Sequence, residues 1–263
     1  MRIAKIIDQN LNVTYALQCE KGGFLRIDGN IFSSFTVTDQ PVTVRQFLAP
    51  VAPPAIFCIG LNYRNHAIES GMKIPEYPII FMKNPSAATG HNQPIRIPAV
   101  CGDEVDYECE LVVVIVRECR NVTPETANDY ILGYTAGNDV SARIWQTEKG
   151  GGQWVRAKSF DTFAPLGPVI VTKDEIENPN DLAIQTSLNG QVVQKSNTAD
   201  MIFSVPQLVA FLSQDTTLLP GTVIMTGTPE GVGWMRKPRK TLHKGDTVVI
   251  EIEKIGQLQN FVN

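Results

Sequence analysis

Apolar positions along this chain fall into short runs separated by turn signals, the pattern of strands rather than long helices. Residues 2–7 (RIAKII) and 12–17 (NVTYAL) read as strands, with turns at Gly22-Gly23 and Asp28-Gly29. Further strands are expected at 56–59, 79–82, 111–116, 168–171, 182–188, 223–225 and 247–252. Asn189-Gly190 is a hairpin turn signal. Helical signals are few. Thr123-Pro124-Glu125 offers an N-cap with proline in the first turn, and Ser204-Val205-Pro206 opens an apolar stretch that runs to Leu212. Strands without regular βαβ alternation predict a strand-rich α+β fold. The joint LAPVAPPAIF, with Pro50, Pro53 and Pro54, separates a small N-terminal β domain, 1–48, from a main domain, 49–263.

The run VDYECELVVVIV, residues 105–116, carries the first chemical signal. Leu111 to Val116 read as a buried strand, and side chains two apart on a strand share a face. Glu108 and Glu110 therefore stand side by side where a strand enters the core. Burying two carboxylates together is costly unless something positive holds them. Asp139, in the segment LGYTAGNDVSAR, is a candidate third acid. Three carboxylates form an all-oxygen donor set suited to Mg²⁺, Mn²⁺ or Ca²⁺ rather than Zn²⁺. The spacing equally allows a solvated strand end or pairing with Arg or Lys.

Composition narrows the function classes. The 263 residues are 43% hydrophobic and 19% charged, an ordinary globular balance. A net charge of -4 gives no basic footprint for nucleic acid. No apolar run is long enough for a membrane helix. The N-terminal residues lack the apolar stretch of a signal peptide, and Asp8 and Glu20 do not suit a transit peptide, so a cytoplasmic location is expected. Five cysteines without C-x-x-C spacing read as reduced thiols.

Three histidines are present. His66 precedes Glu69 by three residues, so on a helical turn the carboxylate can orient and charge the imidazole as an acid/base dyad; a surface helix pair has the same spacing. His91 and His243 lie in loop-like sequence. Lys158, in AKSFDTFAPLGP, sits among small and apolar residues, where an ammonium can bind a carboxylate or enolate or simply face solvent. The Gly- and Thr-rich stretch Met225–Gly233 can form a backbone anion nest. The loop 148–154 (EKGGGQW) is assigned no chemistry.

Taken together, NYRNHAIE, DYECELVVVI, GYTAGNDVSAR, AKSFDTFAPLGP, QKSNTADMIF and GTVIMTGTPEGVG resemble the fumarylacetoacetate hydrolase family, in family order from about residue 47 onward. Within it, the chain most resembles the group that includes oxaloacetate tautomerases. The resemblance implies a β-roll core, a homodimer, and a Mg²⁺ or Mn²⁺ enzyme acting on small 2-oxo acids through a metal-held enolate. It places metal ligands at Glu108, Glu110 and Asp139, catalytic groups at His66, Glu69 and Lys158, and substrate contacts at Arg143, Gln146 and Thr228. Arg143 is expected to grip the distal carboxylate of a diacid with both arms of its guanidinium. Oxaloacetate tautomerisation is the favoured activity. Acylpyruvate hydrolysis, oxaloacetate decarboxylation and isomerisation of 2-hydroxyhepta-2,4-diene-1,7-dioate share the same chemistry. A non-catalytic Ca²⁺-binding protein is the rival of a different class.

Overall fold

The computed structural model describes residues 1–263. The N-terminal strands are β1 (Arg2–Asp8), β2 (Val13–Gln18), β3 (Phe24–Gly29), β4 (Phe35–Val42) and β5 (Val44–Phe47). β6 (Ile56–Ile59), helix α1 (Arg64–Ser70) and β7 (Ile80–Lys83) follow the proline-rich joint. Then come the short β8 (Ala88–Thr89), β9 (Pro94–Ile95) and β10 (Val105–Asp106), and the long β11 (Cys109–Ile115) and β12 (Ile131–Asn138). β13 (Ser141–Ala142), α2 (Trp154–Lys158) and β14 (Ala164–Thr172) complete the middle of the chain. The last part holds β15 (Ala183–Leu188), β16 (Gln191–Asn197), α3 (Val205–Leu212), β17 (Val223–Met225), β18 (Thr247–Ile252) and β19 (Gly256–Val262).

A 12-stranded sheet runs in the order β4-β3-β2-β1-β14-β12-β11-β17-β6-β7, with β5 on β1 and β8 on β14. A 5-stranded sheet, β16-β15-β18-β19-β9, packs beside it. The N-terminal strands join the large sheet directly through Arg2↔Val171 and Ile3↔Ile170. The expected strand-rich α+β fold is the observed one. Asn189 and Gly190 both take positive φ and turn β15 into β16. Ser204 caps α3 with a reciprocal capping box to Gln207. The helix expected from Thr123 does not form. Thr126 closes a turn onto the Thr123 carbonyl, and only one 3₁₀ turn, Ala127–Tyr130, follows. The stretch lacks the repeating apolar face that would hold a longer helix to the core. No helix is long and apolar enough to cross a membrane.

The alternation along β11 sorts its side chains into two environments. Cys109, Leu111, Val113 and Ile115 enter the core shared with Ile184, Ile250 and Leu258 of the smaller sheet. Val112 and Val114 enter a second core with Ile3, Ile56 and Leu166. Glu108 and Glu110 share that second face by their spacing, and every residue from Glu104 to Ile115 is buried. The segment entering β11 thus carries Glu108 and Glu110 into an interior built largely of apolar groups.

β12 reaches β14 through Gly133, opposite Thr172. A Cβ at Gly133 would stand 2.2 Å from the Val171 carbonyl oxygen and 2.8 Å from the Thr172 Cα. These neighbours are backbone and cannot rotate away. Gly133→Ala is therefore expected to cost about 1–3 kcal/mol through overpacking. A thermal melt followed by circular dichroism should show a midpoint lower by several degrees; an unchanged midpoint would mean the two strands can separate freely.

Candidate active site

Glu108, Glu110 and Asp139 meet as the sequence spacing suggested. One oxygen from each lies within 4.8 Å of the others, and all three residues are buried. Glu108 and Glu110 come from one alternating strand segment, and Asp139 follows β12, whose Asn138 is paired with Cys109. Asp139 donates its N–H to the Glu108 carbonyl at 2.9 Å, which fixes the two segments edge to edge.

Three cations hold this cluster. Lys158, the last residue of α2, places Nζ 2.9 Å from Glu108 Oε2 and 2.7 Å from Asp139 Oδ2. It also donates to Ser141 Oγ at 2.7 Å. Arg143 places Nη1 2.7 Å from Glu108 Oε1. Lys83 places Nζ 2.6 Å from Asp139 Oδ1. That approach lacks hydrogen-bond alignment, so Oδ1 is touched by a charge but not hydrogen-bonded. Lys83 instead donates to the carbonyls of Val140, Lys158 and Phe163 at 3.1, 2.6 and 2.7 Å. It ties the segments bearing Asp139 and Lys158 to the end of β7.

The two glutamates titrate in opposite directions. Burial pushes Glu108 up, but Lys158 and Arg143 outweigh it and bring it down to about 2. Burial also pushes Glu110 up, and there Asp139 and Glu108 push the same way, so it lies well above the usual carboxylate range. Glu110 forms no salt bridge; its partner is the Gly227 N–H, which donates to Oε2 at 2.8 Å. A buried carboxylate without a salt bridge, within reach of oxygens from Glu108 and Asp139, fits a divalent ion held by Glu108, Glu110 and Asp139. Lys158 lies above the ordinary lysine range: burial lowers it, and Asp139 and Glu108 more than reverse that.

The loop between β17 and β18 acts as an anion nest, and the anions are the protein's own carboxylates. Besides Gly227, Gly231 donates to Glu69 Oε1 at 2.9 Å. Gly233 and Trp234 donate to the two oxygens of Asp106 at 2.8 and 2.9 Å. Gly231 has φ +95°, and a Cβ there would lie 2.4 Å from the Val193 carbonyl oxygen. Only glycine allows this turn to present its amide.

The dyad forms on α1. His66 Nδ1 lies 3.1 Å from Glu69 Oε2. Burial raises Glu69, but the hydrogen bonds from His66 and the Gly231 N–H bring it below the ordinary range. An ionised Glu69 favours the tautomer with the proton on Nδ1 and leaves Nε2 as the imidazole acceptor. A cavity of about 230 Å³ opens beside the dyad and the acids. His66, Glu108, Arg143, Gln146 and Lys158 line it, with Trp154 and Trp234 among the apolar walls.

Arg143 and Thr228 both have partners within the protein. Arg143 does not offer a free fork: its Nε and Nη2 edge straddles Asp106 Oδ2 at 2.9 and 2.8 Å. Its Nη1 is shared between Glu108 and Gln146 Oε1, the latter at 3.0 Å. Asp106 is buried and needs that edge, so the guanidinium is a fixed part of the wall. Thr228 is not among the lining residues; its buried Oγ1 accepts from Gln194 Nε2 at 2.9 Å. Trp154, in the loop region assigned no chemistry, does line the cavity. Lys83 and Asp106 escaped the sequence reading, although both left a signal. Lys83 shares its strand face with buried Phe81. Asp106 continues the i, i+2 series of Glu108 and Glu110.

Comparisons with known proteins identify the family. A family model, "Fumarylacetoacetate (FAA) hydrolase C-terminal", matches residues 55–263. A Xenopus laevis protein named "Oxaloacetate tautomerase fahd2, mitochondrial" is 48% identical over 81% of this chain and 67% of its own. The Homo sapiens "Oxaloacetate tautomerase FAHD2B, mitochondrial" is 46% identical over 82% of this chain and 69% of its own. Among solved structures, "5-carboxymethyl-2-hydroxymuconate delta-isomerase" from Mycobacterium smegmatis superposes with a TM-score of 0.87. It shares 40% identity and covers 100% of this chain and 99% of the other. With the family match spanning β6 to β19 and carrying all three acids, both partners of the dyad and Lys158, the chain belongs to the fumarylacetoacetate hydrolase family.

Proposed function

We propose that the protein is a divalent-metal-dependent tautomerase of a small 2-oxo diacid, with oxaloacetate as its first substrate. The observation that carries this reading is the convergence on one cavity of a proton-handling pair, His66–Glu69, and a carboxylate cluster with a neighbouring ammonium. The cavity lining contains no cysteine, and its serine and threonine, Ser70 and Thr147, give their hydroxyl protons to the His66 and Arg143 carbonyls. The chemistry on offer is therefore proton relocation rather than attack by a side chain. The names of the two tautomerase relatives support the choice of oxaloacetate.

Glu108, Glu110 and Asp139 would hold Mg²⁺ or Mn²⁺. When bound, the ion supplies Lewis acidity that polarises the 2-oxo group. Lys158 faces the cavity from the cluster and adds positive charge where the enol oxygen develops its negative charge. In the enol-to-keto direction His66 Nε2 takes the enol O–H proton and the imidazolium returns a proton to C3; the reverse direction retraces both transfers. Glu69 keeps the ring oriented and stabilises its charged form. Trp154 and Trp234 limit water beside the reacting carbon.

Enol-oxaloacetate loss and acetylpyruvate cleavage, followed on one preparation with Mg²⁺ and Mn²⁺, test the assignment. The tautomerisation should have the higher kcat/KM, and a chelator should abolish it. A ratio favouring acetylpyruvate by about tenfold, roughly 1.4 kcal/mol in transition-state binding, would move the protein to C–C hydrolysis.

His66→Gln removes the proton carrier and should lower kcat by about 10²–10⁴-fold. KM should stay within a few-fold, because the carboxylate cluster and Lys158 remain. Full activity in this variant would remove the dyad from the mechanism.

Glu110→Gln removes a ligand charge without touching the salt bridges of Glu108 and Asp139. Calorimetric titration with Mn²⁺ should show affinity at least about tenfold weaker, while the folded circular dichroism signal persists. Undiminished Mn²⁺ affinity would place the ion elsewhere.

A further inference from the structure

A diacid needs a counter-charge for its second carboxylate, and Arg143 cannot supply a free fork because Asp106 holds it. The wall formed by Trp234 and Met235 leads to other cations. These two residues line the cavity and also a neighbouring hollow of about 380 Å³, whose remaining lining is Arg236, Lys237, Pro238 and Arg239. The segment 236–240 carries four positive charges on a chain whose net charge is -4.

Two of the four are committed. Arg236 donates to the carbonyls of Gly231 and Val193. Lys240 donates to Gln191 Oε1 at 2.7 Å. Lys237 and Arg239 are exposed and make no hydrogen bond or salt bridge. Arg239 differs from Lys237 in one respect: its guanidinium lies 3.5 Å from the centroid of the Trp234 ring. Stacking on an aromatic face positions a guanidinium while leaving its in-plane N–H groups available. The fork that pairs with a carboxylate thus remains open, beside a residue of the cavity wall.

We propose that Arg239, presented by Trp234, is a specificity-determining residue that recognises the second carboxylate of a diacid substrate. The assignment rests on the 2-oxo acid reading of the cavity and deepens it. The first carboxylate and the 2-oxo group lie toward Glu108 and Lys158, and the far end of the chain extends along the Trp234–Met235 wall. A monoacid fills the same cavity without that contact.

Calorimetric titration of the Mg²⁺-loaded protein with 2-oxoglutarate and with 2-oxopentanoate tests this. The two acids share a five-carbon chain and differ in the terminal carboxylate. Wild-type protein should bind the diacid more tightly. Arg239→Gln should weaken 2-oxoglutarate by about tenfold, or about 1.4 kcal/mol, and leave 2-oxopentanoate within about twofold. Lys237→Gln, which removes the same charge without a wall contact, should leave both within about twofold. Absence of a wild-type preference, equal weakening of both acids by Arg239→Gln, no weakening, or the same loss in Lys237→Gln would each overturn the assignment. Failure of the tautomerase reading shows itself separately, as absent enol-oxaloacetate turnover in the same preparation.

Discussion

Four of the buried carboxylates, on Asp106, Glu108, Glu110 and Asp139, gather beside the cavity, each no more than 5% exposed. An uncompensated charge there would cost several kcal/mol. The surrounding structure is arranged around their neutralisation. Lys83, Lys158 and Arg143 supply three cations for four acids, and backbone amides complete the contacts of Asp106 and Glu110. Of these four, Glu110 is the acid that forms no salt bridge, and it sits where the oxygens of Glu108 and Asp139 converge.

This neutralisation also assembles the site. Lys83 binds the carbonyls of Val140, Lys158 and Phe163, so one ammonium positions both an acid and the backbone of the neighbouring lysine. Asp106 organises the opposite side, taking Arg143 from one direction and the amides of Gly233 and Trp234 from the other. The tryptophan of the cavity wall is thereby tied to the same buried acid as the arginine. Networks of this kind are rigid because each member would leave an unpaired charge if it moved.

The dyad stands on a less embedded element. α1 is seven residues long, with Ala67 its one buried side chain, and it is held by Arg64 and Asn65 to the Asp200–Met201 segment. Glu69 is fastened to the nest loop through Gly231. Nest amides thus reach both the buried acids and Glu69, which links the floor of the cavity to the His66–Glu69 pair. A loop whose amides already serve side-chain carboxylates is not a phosphate site, in keeping with its lack of a Lys-Ser/Thr continuation.

The sequence by itself determined the features that depend on local periodicity. Alternation put Glu108 and Glu110 on one strand face, three-residue spacing joined His66 to Glu69, and Asn189-Gly190 fixed a hairpin. Ser204-Val205-Pro206 marked the start of α3, whereas the cap-like Thr123 had no apolar face behind it and produced only a turn. Motif order carried the family and, with it, Asp139 and Lys158. The tertiary structure decided which charge meets which. Lys83 reaches the Val140 carbonyl across 57 positions of sequence, and Arg143 reaches Asp106 across 37. No local rule specifies such pairs, because they follow from how sheets and loops stack. For the same reason the internal partners of Arg143 and Thr228 were not legible in the sequence. Arg143 pairs with buried Asp106, and Thr228 accepts from Gln194.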